Sequence, residues 1–186
     1  MFACICAGMK EEFVKVEAPF EMPAIRVPDF AGSKMYSIVD YGAREGDQRR
    51  TDLAIEQAIK AAHQSRGGRV MVPAGVWDCG CIRLLSAVNL HLEAGSELRF
   101  SADPADFLPA VPSSWEGMEC YNYSPLVYAF ECENVAVTGS GKLRAKLDRW
   151  REWYGRPPAH LAGLAQLHEM MSKGVPVVER QMAVGE

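Results

Sequence analysis

Trp115, Glu116 and Glu119 are followed closely by Tyr121, Asn122 and Tyr123, so one short stretch sets aromatic rings beside carboxylates. That grouping suits carbohydrate: a flat ring stacks on a sugar face, and polar side chains read its hydroxyls. Trp115, Glu116, Asn122 and Tyr123 are therefore the candidate substrate-binding residues. A second reading is equally open, in which the stretch is a loop folded onto the body of the protein with Trp115 as its hydrophobic anchor.

Other reactive side chains point to less chemistry. His63, His91, His160 and His168 have no carboxylate or cysteine at ligand spacing, and His160 and His168 are two helical turns apart. Of the six cysteines, no pair has two-residue metal-ligand spacing. Cys79 and Cys81 flank Gly80 in a strand-like run and read as small buried hydrophobes. The expectation is no metal and no cofactor.

The chain has 186 residues, 48% of them hydrophobic and 24% charged, which fits one soluble folded domain. A formal net charge of -4 offers no general attraction to nucleic acid or anionic lipid. No apolar run is long enough to span a membrane. Met1 to Met9 (MFACICAGM) are apolar or small but lack a basic start, so they read either as the clipped end of a secretory signal or as a terminus with no address.

Positioning elements follow from periodicity. Residues 1–35 read as an extended lead-in, with Pro19, Pro23 and Pro28 opposing any packed element. Tyr36 to Tyr41 (YSIVDY) predicts a first strand. A helix opening at Thr51 or Asp52 and running to about Ser65 places Ile55, Ala58, Ile59 and Ala62 on one face, as a cap over the end of a sheet stack. Then come three similar units, VMVPAG from Val70, LHLEAG from Leu90 and VAVTGS from Val135, each with apolar residues two apart and a small-residue turn. Asn89 to Leu98 can be laid on Asn134 to Leu143. Short strands at such spacing predict a solenoid whose coils bury Val70, Val72, Leu90, Leu92, Val135 and Val137, with an antiparallel sandwich as the alternative. After Leu143, Leu147, Trp150 and Trp153 suit one helical face, and Ala159 to Met171 a second helix.

These residues resemble a known family. Tyr41-Gly42-Ala43, Gly46-Asp47, Thr51 with Ala54-Ile55 and Ala58-Ile59, then Gly67-Gly68, VMVPAG and LHLEAG resemble the entry of the pectin-degrading β-helix enzymes. Trp115-Glu116-Gly117, Glu119 and Asn122 to Leu126 (NYSPL) are similar to family 28 glycoside hydrolases, the polygalacturonases, and point away from the related lyases. Gly174 to Val177 with Glu179-Arg180 resembles the segment before the next coil in bacterial members. Gln48, Arg49 and Arg50 depart from the family's turn.

The resemblance implies an all-β, right-handed parallel β-helix over residues 36–186, with an N-terminal capping helix and a C-terminal helical excursion, truncated before the site of chemistry. It implies hydrolysis of pectic polysaccharide by two carboxyl groups, one donating a proton and one activating water, in a secreted or periplasmic protein. The family's Asn-Thr-Asp, Asp-Asp, Gly-His-Gly and Arg-Ile-Lys motifs do not occur in this sequence. Asp103, Asp106, Glu116, Glu119, Glu131, Glu133 and Asp148 match none of them, so no catalytic residue is expected in the chain. For a polyanionic substrate, Lys142, Arg144 and Lys146 alternate on one strand face and could meet uronate groups or form a solvated edge. Exposed coil edges imply self-association. A non-catalytic β-helix used for binding or adhesion is the alternative function.

Overall fold

The computed structural model describes residues 11–183, so Met1 to Met9 and their signal-like character lie outside the described residues. The lead-in holds more structure than expected: β1 (Glu11–Val14) pairs antiparallel with β2 (Ile25–Pro28), and Phe30 is buried. Proline is no obstacle here. Pro19 and Pro23 fall in the connection and Pro28 at a strand end, where a missing N–H costs little.

β3 (Met35–Ser37) is only half of the strand expected over YSIVDY. Ile38–Tyr41 closes instead into a 3₁₀ turn, because Gly42, at φ 94°, returns its N–H to the carbonyls of Ile38 and Val39. Helix α1 (Gln48–Gln64) begins one turn earlier than Thr51 or Asp52. Asp47 is its cap, accepting the Arg50 N–H at 3.1 Å. Thr51 instead donates its hydroxyl to the Arg44 carbonyl, 3.1 Å away, and Asp52 accepts the N–H of Gly80 at 2.8 Å. The expected face of Ile55, Ala58, Ile59 and Ala62 is buried in the main core.

The remaining strands are β4 (Gly68–Val72), β5 (Gly75–Cys79), β6 (Ile82–Arg83), β7 (Val88–Leu92), β8 (Ser96–Phe100), β9 (Val111–Trp115), β10 (Met118–Asn122), β11 (Val127–Tyr128), β12 (Ala136–Gly139) and β13 (Lys142–Arg144). Three parallel sheets result, ordered β12-β7-β4-β3, β13-β8-β5 and β11-β6. Parallel pairing removes the antiparallel sandwich as an alternative. Tyr36, Val70, Leu90 and Val137 form one row across the first sheet, and Trp77, Leu98 and Leu143 one across the second. Val70, Leu90 and Leu98 are fully buried. Val137 is 46% exposed and Leu143 48%, because among the described residues no strand lies beyond β12 and β13. Val137 thus keeps its expected face without the expected burial.

The third unit pairs two residues away from the alignment of Asn89 with Asn134: Asn89 lies opposite Ala136, while Leu98 does meet Leu143. A slip of two preserves which face each residue occupies. The β12–β13 turn is correspondingly shorter, and only glycine fits it. A methyl group on Gly139 would lie 1.9 Å from the Leu92 carbonyl oxygen, and one on Gly141 2.1 Å from Ser96 Oγ.

Helices α2 (Leu147–Tyr154) and α3 (Pro158–Ser172) follow, close to the expected bounds. Among the described residues no helix is long and apolar enough to cross a membrane.

Asp52 links α1 to the coil and carries a pH signature. Burial pushes its carboxyl above the ordinary aspartate range, the Gly80 N–H opposes this, and the nearby Asp106 adds to the rise. An acid whose folded pKa is raised contributes stability at low pH that is lost as pH rises through that pKa. Asp52→Asn keeps an acceptor for Gly80 without the charge, so its melting temperature should exceed wild type at neutral pH and match it near about pH 4. Asp52→Ala should cost about 1–3 kcal/mol below about pH 4, since the Gly80 N–H then loses its partner, and less at neutral pH, where removal of the buried charge offsets part of that loss.

Candidate functional site

Residues 101–125 fold into a 3₁₀ turn and a two-stranded hairpin. Asp103 caps a 3₁₀ turn at Pro104–Phe107, accepting the Ala105 N–H at 3.0 Å. β9 and β10 then form a hairpin with Trp115 opposite Met118. Glu116 and Gly117 make its two-residue loop at φ 49° and 83°, the positive pair that matches strand twist. Alternation gives the hairpin two faces. Val111, Trp115, Met118 and Cys120 turn inward, while Pro112, Ser114, Glu119 and Tyr121 take the other side.

The inward face packs on α3. Met118, Cys120 and Leu167 are buried together, with Trp115, Leu164 and Met182 against them. The Trp115 ring meets His160 edge-on at 5.0 Å and 76°, and a methyl group on Gly163 would lie 3.2 Å from its Cη2. Glu116 pairs with Arg156 at 3.0 Å in solvent. Asn122 stands at the opposite end of β10, its Oδ1 accepting the Tyr123 N–H at 2.8 Å. At about 3.3 Å per residue, the strand separates Trp115 and Glu116 from Asn122 and Tyr123 by roughly 13 Å. The four candidates do not converge on one point. Trp115→Ala should therefore lower stability by about 2–4 kcal/mol, below the cost of a fully buried tryptophan because the ring is only half-buried; a denaturant melt checks this.

Two hollows adjoin the hairpin and the cap helix. One, about 710 Å³, lies between the outer hairpin face and Tyr128, Phe130 and Glu131. Tyr128 and Phe130 are stacked, 6.2 Å apart and 3° from parallel, and the Tyr128 hydroxyl donates to the Pro112 carbonyl at 2.7 Å. Burial raises the Tyr128 pKa, so the phenol stays neutral. Residues two apart in an extended segment share a face, which is the mark this pair leaves in the sequence. The other hollow, about 480 Å³, lies beside α1 and is lined by Asp52, Glu56, Lys60, Cys81, Arg83 and Asp106 among others. Cys79 is fully buried, and burial drives its thiol pKa far upward, consistent with a packing role.

No protein-family model matches the sequence, and no curated protein does. Solved structures do. An exopolygalacturonase from Thermotoga maritima is 38% identical with a TM-score of 0.74, the match covering 86% of this chain and 37% of that one. A family 28 exopolygalacturonase from Yersinia enterocolitica is 28% identical with a TM-score of 0.51, over 64% of this chain and 22% of that one. These similarities support a likeness to the polygalacturonases of glycoside hydrolase family 28. The chain spans well under half the length of either structure.

The family 28 likeness implies a parallel β-helix, and the three parallel sheets agree with it. On the outer face of β8 and β13, Lys142 lies opposite Glu97 and Arg144 opposite Arg99. Arg144 pairs with Glu97 at 2.9 Å, and Arg99 with Asp78 at 2.6 Å, which holds the Asp78 carboxyl below its ordinary range. Arg144 is thus already engaged with a carboxylate. His91 Nδ1 lies 2.8 Å from Thr138 Oγ1, which donates to Asn89. Among the described residues, no group of three or more His, Cys, Asp or Glu is placed to hold a metal ion.

Proposed function

We propose that this chain is the opening part of a right-handed parallel β-helix, residues 36–186, in a polygalacturonase-like hydrolase that cleaves pectic polysaccharide, galacturonan or rhamnogalacturonan, with inversion. The observation that carries the reading is 38% identity with a TM-score of 0.74 to an exopolygalacturonase over 86% of the chain. In this reading α1 caps one end of the stack, and the rung of β12 and β13 receives the next coil. Its exposed Val137 and Leu143 support docking there, and self-association of the chain where that coil is missing. Secretion or export to the periplasm belongs to the same proposal.

Inverting hydrolysis needs one carboxylic acid over the glycosidic oxygen and a second carboxylate, about 6.5–9.5 Å away, activating water. Asp103 serves a cap, Glu116 an exposed ion pair and Asp52 the tie to Gly80. None of the motifs expected by resemblance is present. The chain positions the fold and supplies no acid–base pair. Incubated alone with polygalacturonate, it should release no reducing ends above buffer. Release abolished by substituting Asp103, Asp106, Glu116, Glu119, Glu131, Glu133 or Asp148 would overturn this assignment.

A further inference from the structure

We propose that the β9–β10 hairpin, α3 and the returning residues 175–183 form one unit that opens and closes against the coil as a body, and that Arg180 is its latch. The unit has its own core. Met118, Cys120 and Leu167, with Trp115, Leu164 and Met182 packed on them, share no member with the main core among the described residues. It also has its own ladder. Beyond a 3₁₀ turn at Val177–Glu179 the chain returns along the edge of β10 away from β9, where Tyr121 donates its N–H to the Arg180 carbonyl at 2.9 Å and accepts that of Met182 at 2.8 Å. The Arg180 side chain closes the unit: Nε donates to the Val175 carbonyl at 2.8 Å and Nη1 to the Glu119 carbonyl at 3.1 Å, so one guanidinium ties the segment after α3 to β10.

Hydrogen bonds join this unit to the coil at its base. Arg83 donates to the Pro109 carbonyl at 2.8 Å, Tyr128 to the Pro112 carbonyl at 2.7 Å, and the Ser124 N–H to the Phe107 carbonyl at 2.9 Å, all where the hairpin chain enters or leaves. At the other end Gly155 and Arg156 separate α3 from α2, whose Trp150 packs on Phe107 instead, at 5.6 Å and 82°. Beyond its chain neighbours no atom lies within 4 Å of a methyl group placed on Gly155, and Arg156 turns the chain at φ 49°. A small core joined to the rest through narrow crossings opens at lower free energy than a large one. The outer hairpin face with Val177 and Val178 lines the groove of about 710 Å³, so opening of the unit widens it. The inference concerns motion of this wall and stands or falls independently of the substrate.

The test is native-state hydrogen exchange of the whole chain at rising low concentrations of urea. The amides of Tyr121 and Met182, those paired across β9 and β10 and those inside α3 should share one opening free energy and exchange at least about ten-fold faster than those of β4 and β7. Arg180→Met leaves two carbonyls without their charged donor, so it should speed exchange across the unit about ten-fold or more while β4 and β7 stay within about two-fold of wild type. Arg180→Lys keeps one cationic donor and should restore part of that protection. Met182→Ala trims the core of the unit without touching the latch and should speed the same set of amides; it decides the matter if Arg180→Met does not fold. Exchange of the unit together with β4 and β7, different urea dependences for the hairpin and α3, a folded Arg180→Met with unchanged exchange in the unit, or either variant moving β4 and β7 as much as the unit would overturn the proposal.

Discussion

Leu90→Ala should destabilise the chain by about 3–5 kcal/mol, a large share of the 5–15 kcal/mol that holds a typical domain folded. Leu90 is fully buried, with Val70 beside it in one neighbouring strand and Val137 in the other. Removing three carbons from the middle of this row opens a space that the two flanking strands cannot close without breaking their own ladders. Val137→Ala removes a side chain from the same row and should cost about 1 kcal/mol or less, because nearly half of it already faces water. Urea melts of both variants give the comparison. Similar costs at the two positions would mean that burial does not fall off at β12, contrary to the row as described.

That row is legible in the sequence, because apolar residues two apart with a small-residue turn leave few choices for where the side chains go. The register of its last member is not. Asn134 resembles Asn89 as a letter, yet pairing is set by turn length, and the turn at Gly139 and Gly141 is shortened by close backbone approach that a sequence does not display. The start of α1 is hidden in the sequence for a related reason. Thr51 and Asp52 are good capping types, but tertiary partners at Arg44 and Gly80 claim them and leave the cap to Asp47.

The candidate site was legible in composition and not in arrangement. Trp115 to Tyr123 stands out in the sequence as an aromatic and acidic stretch, but the hairpin divides it, sending Trp115 toward α3 and Glu119 and Tyr121 toward the groove. A Glu-Gly loop is a weaker hairpin signal than Asn-Gly, which hid the division. Tyr128 and Phe130 do not stand out in the sequence because their partner surface, the hairpin face, is itself not visible there.

The second large effect is all-or-none, and it is the most direct test of the central claim. Placing this chain in the Thermotoga maritima exopolygalacturonase, in exchange for the stretch it matches, joins its coils to a portion that carries the rest of that enzyme. If the chain is a family 28 β-helix segment, β12 and β13 will accept the next coil in register, covering Val137 and Leu143, and a cleft will form around carboxyl groups supplied by the other part. The measurement is release of galacturonate from polygalacturonate by the purified chimera, with the isolated chain assayed beside it. Turnover by the chimera and none by the chain is the predicted result. A chimera that is folded by circular dichroism and melts cooperatively, yet releases nothing, would contradict the account.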